Sequence, residues 1–209
     1  GLDDPPRGGI LSIGVFDGVH LGHQKVLRYV AERAKDLDAP ALVMTFDPHP
    51  VKLLRPADAP RLLTTLDQRL ALVARTGIET CLLVPFTHRV SRMTAENFVD
   101  DVLVDRLAVR EVYIGKNFRF GADRGGDVEL LTRMGERLGF RAASWPIVEH
   151  GGAIVSSTRV REVVSKGNVE EAAALLDREV FIDGQVLEGK RLGRTLGFPT
   201  LNIEVENEL

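Results

Sequence analysis

Two histidines lie three residues apart in the stretch GVFDGVHLGHQ, which covers residues 14–24. His20 and His23 follow an apolar run and a turn rich in glycine, and a helical pattern of apolar residues begins just after them. If the first helical turn has begun there, the two imidazoles share one face and can both donate to a single phosphate group. Backbone N–H groups and the positive end of the helix dipole also favour an anion at such a junction. The stretch therefore predicts an anion site.

Two simpler interpretations of the histidine pair stay open. An HxxH spacing by itself is also typical of a surface turn with two incidental histidines. The other alternative is a structural metal pair, for which only His49 in the stretch DPHP offers an obvious further nitrogen ligand.

A second polar cluster lies far downstream in the stretch VSSTRVRE, at residues 155–162. It ends a loop and opens a helix with three hydroxyl residues and two arginines. Taken alone, hydroxyl side chains at a helix start are ordinary N-caps. Taken together with the histidine pair, they favour a shared functional site.

The elements that position these residues alternate between strand and helix. Continuous apolar runs predict strands buried on both faces in the stretches GILSIGVF, ALVMTF, TCLLVPF, REVYIG and FRAASWPIV. Apolar spacing and cap residues predict helices after the glycine turn, after the N-cap Thr94, over 66–75, 127–138 and 158–166, and after Asn168. This order predicts an α/β fold with a doubly wound parallel sheet, whose ligands bind at the carboxyl ends of the strands.

Composition sets broad limits on the function. The chain has 209 residues, a net charge of -3 and interspersed charges of both signs, so no basic field favours nucleic acid. The longest apolar run, residues 81–86, is far shorter than a membrane span, and the polar start lacks the apolar core of a signal peptide. With a single cysteine, Cys81, these features predict a cytoplasmic protein with no intramolecular disulfide. The oligomeric state stays open.

The pattern changes near residue 180, where a glycine-rich and strand-like segment begins. About 30 residues are too few to hold a core of their own. We therefore expect two domains, residues 1–179 and the first, incomplete part of a β-type domain at 180–209. The start without Met indicates a processed, engineered or trimmed N-terminus.

Four separated motifs resemble one family. The HxGH pair followed by VSSTxxR resembles the nucleotidylyltransferase superfamily with the HIGH-type signature. The stretches TFDPHP and YIGKNFRFGADRGGD resemble the FMN adenylyltransferase module of bacterial bifunctional FAD synthetases. The stretch GKRLGRTLGFPTLNI resembles the start of the riboflavin kinase module in these enzymes, a β-barrel domain.

The resemblance implies ATP, FMN and riboflavin as substrates, Mg²⁺ as cofactor, and a role for each matching residue. The catalytic residues it implies are His20, His23 and Arg161. The ATP site would add Gly14, Phe16, Asp17, Gly18, Ser156, Ser157 and Thr158. The flavin site would comprise Asn117, Phe118, Phe120, Gly121 and Arg124. Thr200 and Asn202, which the strand period places on one face, would bind the magnesium nucleotide of the kinase. Asp17 and Asp47 are the acidic candidates for magnesium in the first domain.

Two rival functions are kept open by the sequence. Another nucleotidylyltransferase, with a pantetheine or nicotinamide phosphate acceptor, would share the histidine and VSSTxxR motifs but would need neither NFRFG nor the kinase-like tail. A non-catalytic flavin or nucleotide sensor is the other rival, against which the complete set of phosphate-handling residues argues.

Overall fold

A parallel sheet of five strands forms the centre of the fold, as predicted. A computed structural model describes residues 4–188, 197–198 and 200–209. The strands of its main sheet are β1 Ile10–Ile13, β2 Ala41–Asp47, β3 Thr80–Pro85, β4 Glu111–Gly115 and β5 Arg141–Trp145. They lie in the order β3-β2-β1-β4-β5, and every neighbouring pair is parallel. The predicted α/β fold with a doubly wound parallel sheet is confirmed.

Helices connect these strands and cover the sheet. The α-helices are α1 Leu21–Asp36, α2 Pro50–Leu54, α3 Leu66–Ala74, α4 His88–Ser91, α5 Ala95–Asn97, α6 Val128–Leu138, α7 Ser157–Ser165 and α8 Val169–Leu176. Short 3-10 turns cover Pro56–Asp58 and Ala122–Arg124. The predicted apolar stripe of α1 is buried, which fixes the side of the helix that faces the sheet.

Cap residues mark the helix starts. Thr94 accepts a hydrogen bond from the amide of Asn97, and Asn168 accepts one from the amide of Glu171, so both predicted caps are confirmed. The helix predicted over 158–166 runs instead from Ser157 to Ser165, because Ser156 is its N-cap.

The segment after Thr94 is not one α-helix. Its first turn, α5, continues as a π-helix over Phe98–Arg106. The fully buried residues Val99, Leu103 and Leu107 recur every four positions, which exceeds the α-helical period of 3.6. The wider turn keeps all three in the core, and the Leu107 amide donates to the Val102 carbonyl five residues back.

Two predicted strands end early. The first strand stops at Ile13, and Phe16 has a φ of 56°, outside the strand region. The fifth stops at Trp145, where the following Pro146 has no N–H to donate to the sheet.

Smaller hairpins lie outside the main sheet. Strands β6 Glu149–His150 and β7 Ala153–Ile154 pair antiparallel beside α7. Strands β8 Gly184–Leu187 and β9 Asn202–Val205 pair antiparallel with exposed residues along both. The boundary predicted at residue 180 stays a prediction. Among the described residues, no helix is long and apolar enough to cross a membrane.

The segment after β9 contacts the loop before α3. Asn207 donates to the Gln68 side-chain oxygen at 2.8 Å and to the Leu63 carbonyl at 3.3 Å. Glu208 accepts from the Leu62 amide at 2.9 Å and pairs with Lys52. The segment after β9 thus contacts α2, α3 and the loop between these two helices.

Candidate active site

A cleft of about 410 Å³ opens at the carboxyl ends of the central strands. The segments that follow β1, β4 and β5 line it, together with the start of α7. Connections from β1 and β4 run to opposite sides of the sheet, so the cleft lies where a doubly wound fold binds its ligands. Its size suits a small molecule.

His20 and His23 lie side by side in this cleft. Their ring centroids are 3.7 Å apart with an interplanar angle of 18°, and the Phe16 ring meets His23 edge-on at 5.1 Å. His20 is the N-cap residue of α1, which places both imidazoles at the positive end of the helix. His20 is only 6% exposed and His23 is half-buried, which argues against a surface turn with two incidental histidines.

Burial keeps both imidazoles neutral. Desolvation lowers the pKa of His20 to about 4, although the nearby Asp17 carboxylate acts in the opposite direction. Desolvation, followed by the neighbouring His20, lowers the pKa of His23 well below its ordinary value. Within the described part of the chain, neither Nδ1 atom has a hydrogen-bond partner. A buried polar atom without a partner is uncommon, and both rings line the cleft in which a ligand would bind.

The turn between β1 and α1, residues 16–20, is held in an unusual backbone conformation. We call it the histidine turn. Phe16, Gly18 and Val19 have φ values of 56°, 77° and 38°. Such angles are rare for bulky and especially for β-branched residues. A Cβ atom at Gly18 would strain the backbone and would also lie 2.6 Å from Leu63 Cδ1, so it would displace the Leu63 side chain. At Gly14, a Cβ atom would approach the Phe16 ring to 3.0 Å.

The Asp17 side chain fixes the histidine turn through buried hydrogen bonds. Its carboxylate is 2% exposed and accepts from the Leu63 amide and from the amide and hydroxyl of Thr64. Arg161 donates to the same carboxylate at 2.6 Å and to the Arg61 carbonyl at 2.8 Å. A direct role for Asp17 in binding ATP or magnesium would compete with these bonds.

The start of α7 contributes hydroxyl groups on the other wall. Ser156 and Ser157 line the cleft with Arg161, whereas Thr158 lies outside its lining. Ser156 caps the helix, and the Ser157 hydroxyl donates to the Asp17 carbonyl at 2.8 Å. The structure thus brings the two sequence motifs together around Asp17, 140 residues apart along the chain.

The predicted flavin residues separate into two groups. Asn117 and Phe118 line the cleft just after β4. Phe120 is instead a core residue, 9% exposed, with its ring centroid 5.5 Å from that of Phe98. Gly121, which packs against Ala95, also lies outside the lining.

Arg124 is likewise outside the lining and is exposed. It closes the 3-10 turn Ala122–Arg124. Only the first part of the NFRFG stretch therefore faces the cleft.

Several lining residues were not predicted as site residues. His49 was predicted only as a possible metal ligand, yet it lines the cleft after β2. Its Nδ1 accepts from the Val51 amide at 3.1 Å, which leaves Nε2 to carry the proton, and burial lowers its pKa. Trp145 and Lys116 also line the cleft. Their position at or just after strand ends is the signal that could have identified them.

The two kinase residues lie in the exposed hairpin region. Asn202 begins β9 opposite Leu187, and Thr200 precedes the strand. Both are exposed, and neither lines the cleft. Within the described ranges, no group of three His, Cys, Asp or Glu residues could hold a metal.

Comparison with known proteins decides the family. Residues 3–159 match the family model described as FAD synthetase. The chain belongs to the FAD synthetase family. The model described as riboflavin kinase matches residues 176–209 of the same chain. The family predicted from the four motifs is confirmed.

Curated relatives carry both activities in their name. The bifunctional riboflavin kinase/FMN adenylyltransferase of Escherichia coli (strain K12) is 40% identical over 205 residues, which are 98% of this chain and 66% of that protein. The protein of the same name from Pseudomonas fluorescens is 39% identical over 200 residues, 96% of this chain and 64% of that protein. The chain spans slightly less than two thirds of the length of these relatives.

A solved structure shares the fold over nearly the whole chain. The crystal structure of a macrolide-efflux protein from Streptococcus pneumoniae superposes with a TM-score of 0.84 at 27% identity. The match covers 99% of this chain and 67% of that one.

Proposed function

We propose that the cleft transfers AMP from ATP to FMN, which gives FAD and pyrophosphate. The observation that carries this proposal is the stacked pair His20 and His23 at the start of α1, with buried and unpartnered Nδ1 atoms. The family match and the name of the curated relatives support FMN as the acceptor.

The chemistry needs positioning more than it needs a base. A phosphate oxygen of FMN is already anionic near neutral pH. It forms a bond to the α-phosphorus of ATP while the bond to the bridging oxygen breaks, and pyrophosphate leaves with the electron pair. The site must align the two phosphates and compensate the charge that moves onto the leaving group.

The geometry supports a role for each cluster. We assign His20 and His23 to the α-phosphate and its bridging oxygen, as neutral hydrogen-bond donors that act with the positive end of α1. We assign Ser157, Thr158 and Arg161 to the β- and γ-phosphates. Of these three, Ser157 and Arg161 line the cleft, whereas Thr158 is exposed and lies outside the lining.

The flavin would bind on the β4 side of the cleft. Asn117 offers an amide there and Phe118 an aromatic face, both suited to a flat ring system. The Phe120 ring packs next to Phe118, and the two rings are nearly parallel with centroids 6.2 Å apart. We therefore propose Phe120 as a support of the flavin site, together with Gly121 and Arg124 in the same turn.

The described residues do not fit a resident magnesium site. The Asp17 carboxylate already accepts several hydrogen bonds, and Asp47 is exposed with Arg69 at 3.8 Å. Mg²⁺ is commonly held by substrate phosphates and few protein ligands. Any magnesium would therefore accompany the ATP phosphates.

A second activity is proposed for the complete protein. The riboflavin kinase match at 176–209 supports phosphorylation of riboflavin by ATP in the part of the protein that contains this segment. Thr200 and Asn202 stay the proposed ligands of its magnesium nucleotide. A cytoplasmic location and the lack of a nucleic-acid partner also stay predictions.

One pair of assays separates the proposal from its rivals. FAD and pyrophosphate should form in equal amounts from FMN and ATP, and calorimetry should detect FMN binding. Turnover with a pantetheine or nicotinamide phosphate but not with FMN would favour the first rival. Binding of FMN without pyrophosphate release would favour the sensor.

A further inference from the structure

The histidine turn needs support from outside itself. Val19 is β-branched and has a φ of 38°, and Phe16 has a φ of 56°. Residues in such regions are strained and persist only where the surroundings fix them. The Asp17 carboxylate fixes one side of the turn. The side that carries the Gly18 and Val19 carbonyls must be fixed by other groups.

Arg178 supplies that support. Its Nη2 donates to the Gly18 carbonyl at 2.6 Å, and its Nη1 donates to the carbonyls of Val19 and Leu176 at 3.3 and 3.2 Å. Gln24 donates to the Val19 and Leu176 carbonyls at 3.0 and 2.6 Å. The guanidinium thus bridges the end of α8 and the two peptide units that come directly before His20.

The Arg178 side chain is half-buried, and its Nε atom has no hydrogen-bond partner among the described residues. Burial lowers the pKa of Arg178 to about 10, so the group stays cationic at neutral pH. Its guanidinium carbon lies 5.8 Å from the centroid of the Phe181 ring. Hydrogen bonds from a charged donor are stronger than neutral ones. Arg178 does not line the cleft, so it can affect a bound ligand only through the turn.

We propose that Arg178 is a positioning residue that sets the place of His20 and His23 for adenylyl transfer. The inference rests on the proposed function of the cleft. Arg178 lies beyond the FAD synthetase match, which ends at residue 159, and inside the riboflavin kinase match, which begins at residue 176. The chain segment matched by the kinase model therefore holds the turn of the adenylyltransferase site.

The test compares Arg178→Ala with the wild-type chain. We expect kcat for FAD formation to fall between tenfold and about a hundredfold, because a small displacement of a catalytic group costs that much. The KM for FMN should change by less than about twofold, since the β4 side of the cleft is untouched. Hydrogen exchange of the peptide over residues 16–24, without substrate, should become at least about tenfold faster.

Arg7→Ala is the matched control. Arg7 also donates to two backbone carbonyls, those of Asp105 and Arg106, far from the cleft. This control should leave kcat and the exchange of residues 16–24 unchanged. If Arg178→Ala does not fold, Arg178→Lys carries the same test, because lysine keeps the charge but cannot bridge the carbonyls with a planar fork.

The outcomes separate this inference from the proposed function. Unchanged kcat and unchanged exchange in a folded Arg178 variant would overturn the positioning role. A rise in the KM for FMN at constant kcat would also overturn it. A wild-type chain that forms no FAD would refute the proposed function, while the exchange measurement would still decide whether Arg178 holds the turn.

Discussion

Replacing His20 by glutamine should weaken the pH dependence of this chain's stability on the acidic side of neutrality. Burial lowers the pKa of His20 from 6.5 to about 4, so the folded chain keeps the ring neutral where the unfolded chain binds a proton. Stability rises with pH wherever the unfolded state binds more protons. The contribution of His20 is therefore present above pH 6.5 and is lost as the pH falls towards 4.

The magnitude follows from the two pKa values. A lowering from 6.5 to about 4 corresponds to about 3 kcal/mol, because one pKa unit is worth about 1.4 kcal/mol. At pH 4.5, about 2.5 kcal/mol of this should already be lost. His20 is only 6% exposed, so solvent screening weakens the effect little. His23 changes stability in the same direction in both proteins, but less in His20→Gln, because His20 is one of the groups that lower the pKa of His23.

Urea unfolding between pH 8 and pH 4.5 measures the effect. The free energy of unfolding of the wild-type chain should fall by about 2.5 kcal/mol more than that of His20→Gln. The hydrogen bond from Arg33 lowers the pKa of Glu111, so protonation of this carboxylate at low pH destabilises both proteins. Because the loss is the same in both, it cancels in the difference between their free energies of unfolding. Parallel pH curves, or a His20 NMR titration with its midpoint near 6.5, would refute the reasoning.

Five further substitutions, at four residues, test the site. His23→Ala should lower kcat for FAD formation by about a hundredfold, and His23→Asn should recover part of it because the imidazole acts as a neutral donor. Arg161→Ala should weaken ATP use and, by leaving Asp17 buried and unpaired, lower the free energy of unfolding by about 3–5 kcal/mol, measured in urea. Phe120→Ala should cost about 3–5 kcal/mol of stability, whereas Phe118→Ala should mainly raise the KM for FMN. Equal effects of the two phenylalanine substitutions would contradict their different burial.

Local patterns were enough to predict the frame of the site. Buried strands read as continuous apolar runs, and the stripe of α1 follows the 3.6-residue period, so the sheet and its first helix could be predicted. Thr94 and Asn168 were recognisable as caps because each accepts a hydrogen bond from a residue only three positions further along the chain. The place of His20 and His23 at the strand-to-helix junction followed from the same local signals.

Contacts between distant parts of the chain could not be predicted. Arg161 pairs with Asp17 across 144 residues, and no spacing in the sequence indicates that pair. Phe118 and Phe120 look equivalent in NFRFG, but the first lines the cleft and the second fills the core. Phe120 packs in the core against Phe98. Phe98 belongs to the π-helix, which the sequence pattern did not indicate.

The backbone conformation of the histidine turn and the neutrality of its imidazoles have a common cause. Packing of the turn against its supports excludes the water that would otherwise solvate a charged His20. The positive charge of Arg178 adds to the effect, because it also lowers the pKa of His20. Loss of Arg178 should therefore both slow adenylyl transfer and move the pKa of His20 upward from about 4 towards 6.5. An NMR titration of His20 in Arg178→Ala measures this shift, and an unchanged midpoint would separate the proton state of the ring from the support of the turn.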